Sequence, residues 1–123
     1  MKSFAIEIES IAKGPKELTY QLPIQAKIQK QIPGKDRPDY FLAELETPVF
    51  WVDEKQDINT EVTHLILCTK KKSQFIASDM KEVIVAIAYV INDAVLTEHT
   101  LDFKKCKYVA TGKANALKKW GLF

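Results

Sequence analysis

The sequence predicts a mainly β domain: an antiparallel sandwich or small barrel with a short C-terminal helix, an α+β arrangement being the near alternative. Three observations carry this. Apolar residues alternate at period two in several stretches, residues 83–91 form a run dominated by β-branched side chains, and turn signals separate the strand-like runs.

In chain order, Phe4, Ile6 and Ile8 share one parity while Glu7 and Glu9 hold the other, which reads as a half-buried strand. KGPK at 13–16 is a turn signal. Tyr20, Leu22, Ile24, Ala26 and Ile28 then keep one parity, favouring a single long strand with an irregularity at Pro23. A helix competes over 23–32, with Pro at its first position, Ile24, Ile28 and Ile32 every fourth residue, and Pro33-Gly34 as its stop.

After the turn-rich loop IPGKDRPD, Phe41, Ala43, Leu45, Thr47, Val49 and Trp51 share one face of a long strand, bulged near Pro48. VTHLILCT is a further strand, followed by the KKKSQF loop opening a short strand at 74–77. Ser78 or Asp79 with Glu82 has capping-box spacing, but the β-branched run that follows favours a central strand covered on both faces. Residues 101–112 read as the last strand. Leu101 and Phe103 are out of phase with Cys106, Tyr108 and Ala110, so a bulge is expected at Lys104-Lys105, with Phe103 and Tyr108 facing a core. Ala114, Leu117 and Trp120 then fit about two helical turns stopped by Gly121.

A chain of 123 residues is expected to form one domain over 1–123 and to bury a core without a disulfide or metal staple. MKSFAIEIES does not read as a signal peptide, and the longest apolar run is of strand length, so no membrane association is expected. Cys68 and Cys106 stand apart, without Cys-x-x-Cys or histidine spacing. They read as two buried thiols, a disulfide being the alternative, and together these features point to the cytoplasm.

The net charge of +2 hides an asymmetry: residues 104–123 hold six lysines and no acid, whereas eight acids fall between Asp36 and Glu61. No catalytic set is legible. His64 lies mid-strand and reads as a core or inter-sheet histidine, and His99 as a solvated loop residue. A His64–Cys68 dyad fails because residues four apart on a strand are ~13 Å apart. The four scattered glycines build no phosphate loop. The DEKQD carboxylates lack the glycine and closing glutamate of a calcium loop. No metal, cofactor or enzymatic activity is expected.

Two binding functions are expected instead. The first is a non-catalytic protein–protein interaction module, of the size and charge polarity of a small bacterial inhibitor or immunity-type protein. Its acidic loop (Asp53, Glu54, Asp57) would steer a basic partner that Phe50 and Trp51 anchor. The C-terminal Trp120, Leu122 and Phe123 either close one end of the core or bind a partner. Leu122-Phe123 resembles the end of the short peptides by which bacterial replication proteins dock on the sliding clamp, although the glutamine expected before that pair is not supplied by Lys118, Lys119 or Trp120. The alternative is a small β-barrel that binds single-stranded nucleic acid through a basic face (Lys70, Lys71, Lys72, Lys104, Lys105, Lys107, Lys118, Lys119), interleaved with Phe75, Phe103, Tyr108 and Trp120. Against it stand the 17 lysines to one arginine and the core-facing phase of Phe103 and Tyr108.

Overall fold

A computed structural model describes residues 3–53 and 58–117, with only the backbone for 51–53 and 58–60. Six strands follow in order: β1 (Phe4–Lys13), β2 (Ile24–Ile32), β3 (Tyr40–Asp53), β4 (Ile58–Thr69), β5 (Val83–Val90) and β6 (Cys106–Leu117). Each pairs antiparallel with its neighbour in sequence, and β6 returns to pair with β1, closing a barrel. Closure removes the exposed sheet edges that an open sandwich would leave, except where β3 runs on past its pairing with β2.

Period-two patterning explains the interior. Ile6 and Ile8 from β1, Ile24, Ala26 and Ile28 from β2, Ala43 and Leu45 from β3, Leu65 and Leu67 from β4, and Val83, Val85, Ile87 and Tyr89 from β5 all point inward and are buried. The interior is filled: the void among Ile8, Leu18, Val49 and Ile87 is about 10 Å³, at the lower limit for a single water. Leu18, on the four-residue helix α1 (Lys16–Thr19), packs into the core at the β1–β2 end, and Ile76 and Met80 pack into it from the loop that joins β4 to β5.

The outer face carries a second, smaller core. Residues 91–105, with 3-10 turns at Asp93–Thr97 and Phe103–Lys105, fold back over the barrel. They bury Val95 and Leu101 against Ile32, Leu42 and Ile66. Lys30 Nζ donates to the carbonyls of Leu96 and Glu98, both at 3.0 Å, and Leu101 N–H donates to the Pro33 carbonyl. This flap explains why β5 is apolar on both faces: Ala88 and Val90 pack beneath it.

Several expectations are corrected. The strand expected from Tyr20 starts only at Ile24, because Lys16–Thr19 is helical. The helix considered for 23–32 is a strand whose alternate side chains are buried. No strand forms at 74–77 and no helix follows Ser78. The bulge expected at Lys104-Lys105 is a 3-10 turn, and the irregularity lies at Val109 instead. Ile87 pairs with Ala110 and Ala88 with Tyr108, leaving Val109 as the extra residue. That bulge reverses the phase, so Ala110 is fully buried while Tyr108 is 56% exposed.

The C-terminal helix is corrected over 113–117, which continue β6 along β1 with Ala114 opposite Ile8. Gly112 does not end the strand. A Cβ there would lie 2.3 Å from the Ser10 carbonyl oxygen, so glycine permits a close approach of two strands. Lys118, Lys119, Trp120, Leu122 and Phe123 lie outside the described residues, as do Glu54 and Asp57. His64 faces outward rather than into the barrel core, opposite Glu44, with Nε2 at 3.6 Å from the Glu44 carboxylate.

Candidate nucleic-acid interface

A groove of about 520 Å³ crosses the outer face of β4, β5 and β6, beside the flap. Its floor is Ile66 and Cys68 on β4 and Ala86 and Ala88 on β5. The two alanines matter because they are the small outward residues of an otherwise bulky strand. Where Val90 fills the space under the flap, Ala86 and Ala88 leave a depression. Tyr108, paired across from Ala88, lines the groove from β6.

Tyr40 and Phe103 also line it. Their rings meet edge-to-face at 5.4 Å. Phe103 is 43% exposed, so both aromatics expected to face the core are available to solvent, and that expectation is corrected. Phe103 leaves the expected phase because it opens the 3-10 turn rather than extending β6; Asp102 caps that turn by accepting from Lys104 N–H at 3.0 Å. The Tyr40 hydroxyl donates to Asp36, and burial together with that carboxylate pushes the phenol well above its usual range.

Arg37 is structural. It forks onto Asp39 at 2.5 and 2.6 Å and donates to the Thr69 carbonyl at 2.9 Å, tying the β2–β3 loop to the end of β4. The hydrogen bond from Arg37 holds the Asp39 carboxyl below its ordinary range. Burial raises both groove thiols, Cys68 and Cys106, above the ordinary cysteine value.

The groove continues in both directions. Past Arg37 and Lys70 it runs into a shallow depression lined by Lys71, Lys72 and Phe75, and past Phe103 into another lined by Lys35 and Lys104. Along this trench stand six cations and three carboxylates. The carboxylates are engaged within the protein: Asp36 with Tyr40, Asp39 with Arg37, and Asp102 with the turn it caps. Lys35, Lys70, Lys71, Lys72 and Lys104 make no side-chain hydrogen bond or ion pair with the described residues. The trench therefore presents net positive charge to whatever enters it.

Of the basic residues singled out in the sequence, Lys70, Lys71, Lys72 and Lys104 are thus brought together. Lys105 is not available, because it is paired with Glu98, which holds its ammonium above the ordinary lysine range. Lys107 is half-buried on β6 and does not line the trench. Sequence reasoning missed Lys35, Tyr40 and the alanine floor. The outward alternation of Ala86 and Ala88 in VIVAIAYVI is the signal that would have found the floor.

At the other end of the barrel, Phe50 is 55% exposed, and Gln21 clamps its backbone: Gln21 Nε2 donates to the Phe50 carbonyl and Phe50 N–H donates to Gln21 Oε1. Of the acidic site, the backbone of Trp51 and Asp53 runs along β3, opposite Thr60 and Ile58 of β4. Among the described residues no group of histidine, cysteine and carboxylate side chains is placed to hold a metal, and no helix is long and apolar enough to cross a membrane. Comparison with protein-family models, with curated proteins and with solved structures returns no match.

Proposed function

We propose that this protein binds single-stranded nucleic acid along the lysine-lined trench on its outer face. The observation that carries the reading is the outward position of Tyr108 and Phe103 on a groove that leads at both ends to lysines. Unstacked bases would lie on the rings of Tyr108, Phe103 and Phe75 while Lys35, Lys70, Lys71, Lys72 and Lys104 follow the phosphates. Duplex bases are already stacked on one another, so these rings favour a single strand. Lysine in place of arginine suits contact with the backbone rather than readout of sequence. Two unpaired cysteines also fit a cytoplasmic setting.

Fluorescence anisotropy of a labelled single-stranded oligonucleotide tests this. Affinity is expected to fall steeply with salt, and replacing Lys70, Lys71 and Lys72 by alanine should flatten the log–log slope by about 0.7 for each phosphate that is no longer neutralised. No anisotropy change at micromolar protein and low salt overturns the reading.

A second reading, an interaction module that docks a basic bacterial protein partner, is favoured by one observation. Phe50 is exposed yet held in place by Gln21, on the strand that ends at Asp53. An exposed aromatic whose backbone is fixed loses little entropy on binding. Charge reversal at Asp53, Glu54 and Asp57 should slow association with such a partner, and an unchanged on-rate and salt dependence removes this reading.

A further inference from the structure

Strands β2 and β3 separate near one end of the barrel. Their pairing runs from Ile32–Tyr40 to Ala26–Leu45 and goes no further, although β3 continues to Asp53. Between them lies a cleft of about 380 Å³ lined by Gln21, Pro23, Ile24, Gln25, Glu46 and Phe50, among others. On its other side β3 remains paired with β4, Val49 opposite Val62 and Phe50 opposite Glu61.

Gln21 spans this cleft. Its side-chain amide receives the Phe50 N–H at 2.8 Å and donates to the Phe50 carbonyl at 2.9 Å. A primary amide that makes both bonds to one residue does what the peptide groups of a neighbouring strand would do. The backbone polar groups of Phe50 therefore point away from β4 and into the cleft. In an antiparallel ladder this direction alternates, so Val52, two residues on, presents its N–H and carbonyl the same way. Among the described residues, no backbone pairs with this edge of β3 beyond Leu45.

We propose that the edge of β3 at Pro48–Phe50–Val52 accepts an extended peptide segment rich in lysine or arginine, added as a strand, with Gln21 as the placeholder it displaces. The exchange of Gln21 for a backbone amide conserves hydrogen bonds at Phe50. The gain comes from the further pairing to Val52 and from covering exposed Pro23 and half-buried Pro48 in the cleft, over the already buried Ile24 and Val49. Cationic side chains are selected because Glu46 lines the cleft, Glu61 is exposed on β4 opposite Phe50, and no lysine or arginine among the described residues lines it. The inference refines the second reading above by naming the mode of docking, and it is independent of the trench.

The probe is a fluorescent peptide alternating lysine and valine, titrated into the full chain. Binding is expected, with amide shifts of Phe50 and Val52 in the nitrogen–proton NMR spectrum. The same peptide N-methylated on alternate residues should bind at least tenfold more weakly, and its glutamate–valine counterpart should not bind. Gln21→Ala removes the competitor and should tighten binding about fivefold, the worth of one net hydrogen bond. The N-methyl comparison uses unaltered protein, so it stands even if that variant folds poorly. Equal binding of the N-methylated peptide overturns strand addition but leaves charge-driven docking in place. Absence of any binding by the lysine–valine peptide overturns the proposal.

Discussion

Tyr40 and Phe103 meet edge-to-face, with ring centroids 5.4 Å apart and planes at 72°, over the space that Gly34 leaves empty. A Cβ on Gly34 would sit 2.6 Å from Tyr40 Cε2 and 3.1 Å from Phe103 Cζ. Both atoms belong to side chains that can turn, so Gly34→Ala should fold and displace the rings. The expected stability loss is about 1 kcal/mol, the low end for overpacking, read as a lowered urea midpoint. Oligonucleotide affinity should fall with it, because this aromatic pair lines the trench. Unchanged affinity would show that the pair takes no part in binding.

Gly112→Ala should behave differently. Its Cβ would lie 2.3 Å from a backbone atom, the Ser10 carbonyl oxygen, and the β1–β6 seam closes the barrel there. Backbone cannot swing aside, so the seam must open or shift register. A loss of about 3 kcal/mol is expected, near the top of the overpacking range. Urea denaturation of the two variants side by side checks the order. A Gly112 variant as stable as the Gly34 variant would mean that the seam has slack.

Tyr108→Ala separates function from fold. The side chain is 56% exposed, so truncation should change stability little. Stacking of one base on an aromatic ring is worth about 1–3 kcal/mol, so oligonucleotide affinity should fall roughly five- to 150-fold. The salt slope should stay the same, because every lysine that meets a phosphate is still in place. A changed slope with unchanged affinity at low salt would place the bases elsewhere.

What the sequence revealed and what it hid have physical causes. β1 was legible because a closed barrel demands period-two burial, which Ile6 and Ile8 supply between polar neighbours, and β5 because its run of β-branched residues, apolar on both parities, fits a strand covered on both faces. The bulge at Val109 was not legible, because it is set by pairing with β5 and not by any residue of β6 alone. That single residue reversed the reading of Tyr108. The strand at 113–117 was not legible because Ala114, Leu117 and Trp120 stand at helical spacing. Pairing with β1 decides the conformation instead. The flap hid the groove in the same way: the burial of Val95 and Leu101 depends on strands far away in the chain.

The two cysteines should stay reduced and react slowly. Cys68 is level with Ala86 on β5, and Cys106 with Val90. Four residues along β5 separate these levels by roughly 13 Å, well beyond the Cα separation that a disulfide spans. Mild oxidation should therefore leave the monomer's mass unchanged, with two thiols titrating after denaturation. Burial raises both thiol pKa values, so less thiolate is present at neutral pH than in a free cysteine, and thiolate is the reactive form. Both should react with a disulfide reagent more slowly in the folded chain than in urea. Bound oligonucleotide should slow them further, since both line the groove. A thiol reacting at the free-cysteine rate would contradict this burial.

The Arg37–Asp39 fork predicts a pH dependence of stability with a definite sign. Arg37 holds the Asp39 carboxyl below its ordinary value, so the folded chain binds this proton less readily than the unfolded one. The stabilisation is fully present above the unfolded value, about pH 4, and is lost as pH falls through the lower folded value. Asp39→Asn should accordingly be less stable than the parent at neutral pH, and the gap should close on acidification below about pH 4. The effect should be modest, because both side chains are about a third exposed and solvent screens them. Arg37→Lys should recover little of it: a single ammonium cannot serve both oxygens of Asp39 and the Thr69 carbonyl at once. Chemical denaturation at a series of pH values measures the gap directly. A gap that widens below about pH 4 would mean that the carboxylate of Asp39 destabilises the fold and that Arg37 is held by Thr69 alone.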